Sequence, residues 1–358
     1  MCIRDSPYVE KKYAGWNGVL RAWVCSGWEC SGSFVRWLNA CASDFEKAHD
    51  GVYIEFTPVQ KESMRDLQGS GVRPPELLLF SPDTLEHADG LLPVDAPAEL
   101  REELKDCGGA CAIPVAMGGY IWVYNRALCD GAPDPSDAPP MLPDDSARSF
   151  SSAVIALMSA EPGAPTNPEP VDPGIDLGLP ASADAGAANP HADPEALDRF
   201  IAGELAAIPV TQKELSRLLR LRDAGRGPDW ACAASGQFAF SDQLLMLAVT
   251  AQPDADGDAR TSLALEFARS LLGADAQKKL ADIGAFSVTG ASLYSDFSAY
   301  APLDALLNCR PLIVPRLFSE YSSRQSADIV RELYAGRLSP SQALARLKSL
   351  CGLQCAQD

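Results

Sequence analysis

The order of apolar segments between residues 18 and 80 limits the folding options of this chain more than any other feature. "GVLRAWV" (18–24) sets Leu20, Ala22 and Val24 against Arg21 and Trp23, the period-two alternation of a β-strand. In "SGSFVRWLNACASDFEKAHDG" that follows, Phe34, Trp37, Leu38, Cys41 and Phe45 recur at helical spacing. A serine is available to cap the start, and Gly51 stops it. "VYIEFTPV" (52–59) is a strand again, and "PELLLF" (75–80) is a short continuous apolar run. Strand, helix, strand, then a solidly apolar third strand, describe a parallel sheet covered on both faces. The first half is therefore expected to be an α/β lobe.

A second constraint lies in "CAIPVAMGGYIWVYN" (111–125), where a strand pauses at Gly118–Gly119 and resumes with three aromatics in five residues. Two glycines interrupt a strand most usefully at a bend, or where something approaches the backbone closely; a simple β-bulge is the remaining alternative. Trp122 and Tyr124 alternate with Ile121 and Val123 and are expected to pack in a core, as is Trp37 at its helical position.

Residues 131–196 are rich in Pro, Asp and Ala and read as exposed loop or disorder around one helix, "SARSFSSAVIALMSA". A helix ("DPEALDRFIAG"), a strand ("ELAAIPV") and a helix ("TQKELSRLLRLRDAG") follow. Beyond the apolar "FAFSDQLLMLAVTA", helices are expected at "TSLALEFARSLLG", "ADAQKKLADIG", "SADIVRELYAG" and "SPSQALARLKSL". The last opens with Ser339 as cap, Pro340 at the first helical position and Gln342 completing a capping box. No internal repeat is present.

A length of 358 residues suits about two domains of roughly 150 residues each. The net charge of −18 disfavours nucleic acid, anionic membranes and highly phosphorylated ligands, all of which need clustered lysine and arginine. No run of 18 or more apolar residues occurs, the length a membrane-spanning helix requires. Residues 1–6, "MCIRDS", resemble the translation of a library-preparation adapter and are set aside, so the authentic start and any signal peptide are expected to be missing.

Motifs for catalysis are not found. The three histidines are His49, expected at a helix C-terminus, His87 in a polar turn and His191 in the Pro/Asp-rich segment. There is no GxSxG elbow, HExxH pair or phosphate loop, and Gly118–Gly119 do not make a dinucleotide fingerprint. Asp144–Asp145 read as solvated loop charge. Beyond Cys2, the cysteines are 25, 30, 41, 107, 111, 129, 232, 309, 351 and 355, without the doubled CxxC spacing of a zinc site. An oxidising compartment would allow Cys25–Cys30 or Cys107–Cys111 to pair; otherwise these are free, buried thiols. No catalytic residue, cofactor or metal is expected.

Several stretches in order ("FEKAHDGVYIEF", "PELLLFSPD", "LLPVD", "AIPVAMGGYIWVYNRAL", "FIAGELAAIPV", "ALEFARSLLGADAQKKLADIGAFSV" and "ADIVRELYAGRLSPSQALARL") together resemble the extracellular solute-binding proteins of ABC importers, in the sugar-binding group. The likeness covers most of residues 18–350 and is weakest in 131–175. A signal peptide and lipid-attachment cysteine are not visible, and the middle of the second lobe is short. "LNAC" (38–41) looks like a lipobox but sits inside the amphipathic helix without an apolar segment before it.

The resemblance implies a two-lobed, type II periplasmic-binding-protein-like α/β fold with ligand held between the lobes. The expected division is a lead-in at 1–17, a first lobe of 18–117 with 236–288, and a second of 118–235 with 289–358. Gly118 and Gly119 would then lie at the hinge. In parallel α/β lobes, ligands meet the loops at the carboxyl ends of strands. That rule selects Trp28, Glu29, Ser81 and Asp83 from the first lobe. Tyr120, Thr211, Gln212, Trp230 and Phe238 come from the second, with helix capping the stronger role for Thr211. The implied function is capture of a sugar or oligosaccharide for membrane permease subunits, by a monomeric, non-enzymatic, lipid-anchored protein outside the cytoplasmic membrane. Two rivals are an acidic cell-surface interaction module and a two-lobed α/β enzyme.

Overall fold

The computed structural model describes residues 16–67, 73–129, 196–233, 239–295, 298–319, 325, 328–329, 332 and 337–352. The expected helix at 146–160 lies outside them, as does most of the one at 326–336. The chain divides into two compact units. The first comprises the residues up to Gly118, with Asp242–Ser298 and Val314–Phe318; the second comprises Gly119–Ser241, Ala299–Ile313 and the chain from Ser319 onward.

In the first unit, β1 (Gly18–Cys25), α1 (Phe34–Ala48), β2 (Val52–Pro58), α2 (Lys61–Leu67) and β3 (Leu77–Phe80) follow in order. The pattern of residues 18–80 produces what it implied: β1 pairs in parallel with both β2 and β3. Ser33 caps α1, accepting the Arg36 N–H, and Phe34, Trp37, Leu38, Cys41 and Phe45 form its buried stripe. His49 closes the helix, its ring stacked on Phe45 and its nitrogens facing the Phe45 carbonyl and the Glu266 carboxylate.

The short α3 (Glu102–Lys105) precedes β4 (Ile113–Met117). The sheet order is β2-β1-β3-β9-β4, where β9 (Leu244–Val249) arrives from far along the chain and runs antiparallel to both neighbours. All six residues of β9, "LLMLAV", are buried, as a central strand covered on both faces requires. Helices α6 (Gly257–Ser270) and α7 (Ala274–Lys278), with a 3₁₀ turn over Lys279–Ile283, complete the unit. Phe267 of α6 meets Phe45 edge-to-face.

The second unit is built on the antiparallel sheet β6-β5-β7, from β5 (Tyr120–Asn125), β6 (Ala207–Thr211) and β7 (Trp230–Ala233). A parallel pair joins β8 (Ala239–Phe240) to β10 (Leu312–Ile313). Its helices are α4 (Ala196–Ile201), α5 (Gln212–Asp223), α8 (Ala301–Cys309) and α9 (Pro340–Leu350). Trp122 packs with Phe240, Ile313, Ala343 and Leu347 in one apolar cluster, and Tyr124 lies against it, the core role expected of both. Ser339 and Gln342 form the anticipated capping box on α9.

The unit boundaries differ from the expected ones. The second unit extends to Ser241 rather than 235, because β8 pairs with β10 there. The first extends to Ser298 rather than 288, held by the Tyr294 hydroxyl donating to the Ala285 carbonyl at 2.9 Å. Val314–Phe318 also return to the first unit, where the Leu317 N–H donates to the Cys107 carbonyl.

The boundary at Gly118–Gly119 splits the interrupted strand into β4 and β5, which serve different sheets. Neither glycine has a positive φ. The requirement at Gly119 is close approach: a Cβ there would come within 3.0 Å of Leu307 Cδ1 and 3.3 Å of Leu303 Cδ1. A bulge does exist, but earlier, where the β4–β9 register shifts between Pro114 and Ala116.

Neither candidate cysteine pair forms a disulfide; Cys25, Cys30, Cys107 and Cys111 are all buried thiols. Cys107 instead donates to the Leu104 carbonyl and Cys111 to the Gly108 carbonyl. Burial pushes the Cys107 thiol up to about 12, and Cys41 and Cys232 to about 11. These side chains stay protonated at neutral pH and act as small apolar groups.

Candidate ligand-binding site

The parallel pairing of β1 and β3 sets Cys25 opposite Phe80, so the loops leaving their carboxyl ends emerge side by side. One carries Trp28 and Glu29, the other Ser81 and Asp83. The structure ties them together: the Gly27 N–H donates to Ser81 Oγ at 2.7 Å. A methyl group on Gly27 would come to 2.9 Å from that oxygen and 3.8 Å from Asp83 Oδ1. Asp83 forms an ion pair with Lys61, and its carbonyl accepts from Arg65. Glu29 is exposed.

Trp28 departs from the open rim platform expected of it. The residue is only 8% exposed, and its ring meets Phe34 edge-to-face at 4.6 Å between centroids. Its indole N–H is buried without a hydrogen-bond partner among the described residues. A buried donor left unpaired costs about 1–3 kcal/mol. The sequence had identified Phe34 only as a position on the apolar stripe of α1; its contact with Trp28 depends on how the loop folds back.

In the second unit, Tyr120 and Thr211 are directly opposed across β5 and β6, and Gln212 follows. Tyr120 is buried. Thr211 caps α5 in a full capping box, accepting the Glu214 N–H while the Glu214 carboxylate accepts the Thr211 N–H and hydroxyl. Gln212, fully buried, accepts the Gly119 N–H at 3.1 Å. These two side chains thus have structural partners at the positions where ligand contact was expected. Thr211→Ala should lower stability by about 1 kcal/mol through the lost cap, measured by denaturant titration; Thr211→Ser should restore it.

Trp230 does not join this group. It pairs with Asn125 at the far end of β5, roughly 17 Å from Tyr120 at about 3.4 Å per residue. Its ring is buried under the Arg222 guanidinium, 5.0 Å from the ring centroid, a cation–π contact that accounts for its position. Phe238 lies outside the described residues. Among the described residues, no cluster of three or more His, Cys, Asp or Glu could hold a metal ion.

No family model matches the sequence, and neither does any curated protein. Solved structures do match. One is the cyclic alpha-maltosyl-1,6-maltose binding protein from Arthrobacter globiformis, with TM-score 0.59 and 15% identity, covering 94% of this chain and 99% of that one. Another is the GacH receptor of Streptomyces glaucescens, solved unliganded and with acarbose, with TM-score 0.55 and 14% identity over 95% of this chain and all of its own. A third is the maltose/maltodextrin-binding domain MalE from Bdellovibrio bacteriovorus bound to maltotriose, with TM-score 0.52 and 14% identity over 94% and 99% of the two chains. The chain therefore has the two-lobed α/β fold of the ABC-importer solute-binding proteins.

Proposed function

We propose that this protein is the substrate-binding component of an ABC importer, capturing a sugar or oligosaccharide. The observation that carries this reading is the shared fold: its solved neighbours include binding proteins for maltotriose, acarbose and a cyclic maltosyl-maltose. The adjacent loops at the carboxyl ends of β1 and β3 support it, because strand ends in such sheets are where ligands are met. A sugar offers an apolar C–H face and a rim of hydroxyls, so a site needs aromatic surface and a few fixed polar groups. To that site we assign Glu29, Ser81 and Asp83 as polar groups in the first unit and Thr211 and Gln212 in the second, with the buried aromatics Trp28 and Tyr120 beside them.

Gly118–Gly119 would act as a pivot. Each glycine N–H is anchored within its own unit, Gly118 to the Gln243 carbonyl and Gly119 to the Gln212 side chain, which leaves the link between them to turn. Permease subunits are the expected partners, the protein working as a monomer, lipid-anchored outside the cytoplasmic membrane.

A thermal-shift screen tests the reading with maltotriose, acarbose and cyclic glucans beside amino acids and short peptides. A ligand at 100 times its Kd should stabilise the native state by about 2.7 kcal/mol. A shift confined to related sugars supports capture and identifies the cargo class. A flat response across the sugars from a well-folded sample would overturn the sugar assignment.

A further inference from the structure

The net charge of −18 conceals one local reversal. Residues 213–226, over and just beyond α5, carry Lys213, Arg217, Arg220, Arg222 and Arg226 against two carboxylates, Glu214 and Asp223. Glu214 is buried in the helix cap, whereas all five cations are exposed. Three of them are aligned by the helix. Lys213, Arg217 and Arg220 recur at i, i+4 and i+7, opposite the buried Leu215, Leu218 and Leu219. At about 1.5 Å per residue they form a stripe roughly 10 Å long. Arg226 follows in a turn between Gly225 and Gly227, both at positive φ, and a Cβ on either glycine would meet nothing within 4 Å. That turn stands in open space.

Local structure accounts for only part of this charge. Cations in the last turn favour the helix dipole, which suits Arg220 and Arg222, and Arg222 also lies over the Trp230 ring. Arg217 pairs with Asp198 of α4 at 2.6 Å. Lys213, however, stands in the first turn, where a cation opposes the dipole, and Arg226 lies beyond the helix. Among the described residues, Arg220 and Arg226 form no ion pair.

We propose that this stripe is a docking surface for a short acidic segment of a partner protein. Guanidinium groups match carboxylates in geometry as well as charge, which suits glutamate and aspartate side chains. A helix that lies on a bilayer faces it with apolar side chains, whereas α5 buries its leucines and presents charge. Size argues the same way. Charge beyond about 8–10 Å is largely screened at physiological ionic strength, so a segment no longer than the stripe meets its positive charge and little of the acidic remainder. An extended anionic surface would meet both. The inference does not depend on which solute the protein captures.

The test measures binding of fluorescently labelled octaglutamate to the full chain by anisotropy, with octaglutamine as the uncharged control. Octaglutamate should bind, octaglutamine should not, and the affinity should fall as salt rises. Arg220→Glu combined with Arg226→Glu should weaken binding about ten-fold. Lys213→Glu should also weaken it while leaving the melting temperature unchanged or higher, because a carboxylate suits the first turn of a helix. Arg346→Glu, which reverses a cation of α9 outside the stripe, should leave binding unchanged. Octaglutamate that does not bind, or that binds equally to the unsubstituted protein and both stripe variants, would overturn the proposal. Stripe-dependent binding to vesicles of phosphatidylglycerol and phosphatidylcholine, without octaglutamate binding, would overturn it in favour of a membrane. Stripe-dependent dimerisation in sedimentation velocity, without octaglutamate binding, would overturn it in favour of a second copy of this chain.

Discussion

Replacing Glu76 with alanine should destabilise the first unit by about 3–5 kcal/mol, the usual cost of leaving a buried charge without its partner. Glu76 directly precedes β3 and is 1% exposed. Its carboxylate accepts the Arg21 backbone N–H at 2.8 Å and the Arg260 guanidinium at 2.9 Å. Arg260 is itself buried and also bonds Asp254, which in turn pairs with Arg73 at 2.6 Å. Removing the carboxylate leaves the buried Arg260 with Asp254 as its remaining ion-pair partner and takes away the acceptor of the Arg21 N–H. Glu76→Leu combined with Arg260→Met should cost much less than the two single changes added together, because neither charge then remains buried alone. The Arg73–Asp254 pair would survive at the surface. Urea denaturation checks this as a drop in midpoint at unchanged slope. A Glu76→Ala loss below about 1 kcal/mol, the range of exposed ion pairs, would mean that water reaches the site.

Gln277→Leu should be at least as damaging, with an expected loss of roughly 3–6 kcal/mol if its four orphaned partners each carry about 1–3 kcal/mol less than additively. Gln277 is 1% exposed and uses both ends of its amide. Its nitrogen donates to the Val115 carbonyl at 3.0 Å and the Leu271 carbonyl at 2.7 Å. Its oxygen accepts the Ser287 hydroxyl at 2.8 Å and the Val288 N–H at 3.1 Å. Val115 is the residue at the β4 bulge, where the ladder to β9 breaks register and a strand partner for the carbonyl is lost. Gln277→Glu keeps the acceptor half but turns a carboxylate toward two carbonyl oxygens. Burial and those carbonyls would raise its folded pKa, so that variant should regain stability as pH falls and lose it as pH rises. Equal stability of Gln277→Leu and the unsubstituted protein would show that the bulge needs no such support.

Gln277 also illustrates why part of the structure was hidden from the sequence. Within "ADAQKKLADIG" it reads as one polar residue on an amphipathic helix; its four partners lie in three separate segments. The same holds for Trp28. The strand-end rule located its loop and that of Ser81 correctly beside one another, because chain direction and strand pairing fix where loops emerge. Spacing could not reveal that the ring turns inward onto Phe34. Trp230 is separated from Tyr120 for a related reason: antiparallel pairing in β5–β7 carries it to the opposite end of the strand. Thr211 was legible as a cap because capping depends on neighbours three residues away.

The sequence by itself determined the elements whose causes are local. These are the β1-α1-β2-β3 order and its parallel pairing, the caps at Thr211 and Ser339, and the break at Gly118–Gly119. Periodicity, turn chemistry and backbone sterics act over a few residues, so they can be read in order along the chain. Only the tertiary structure decided that β9 enters between β3 and β4, that Leu303 and Leu307 press on Gly119, and that Glu76 and Arg260 meet in the interior. Those contacts join segments distant in sequence, where burial and polar satisfaction select partners that no local pattern encodes.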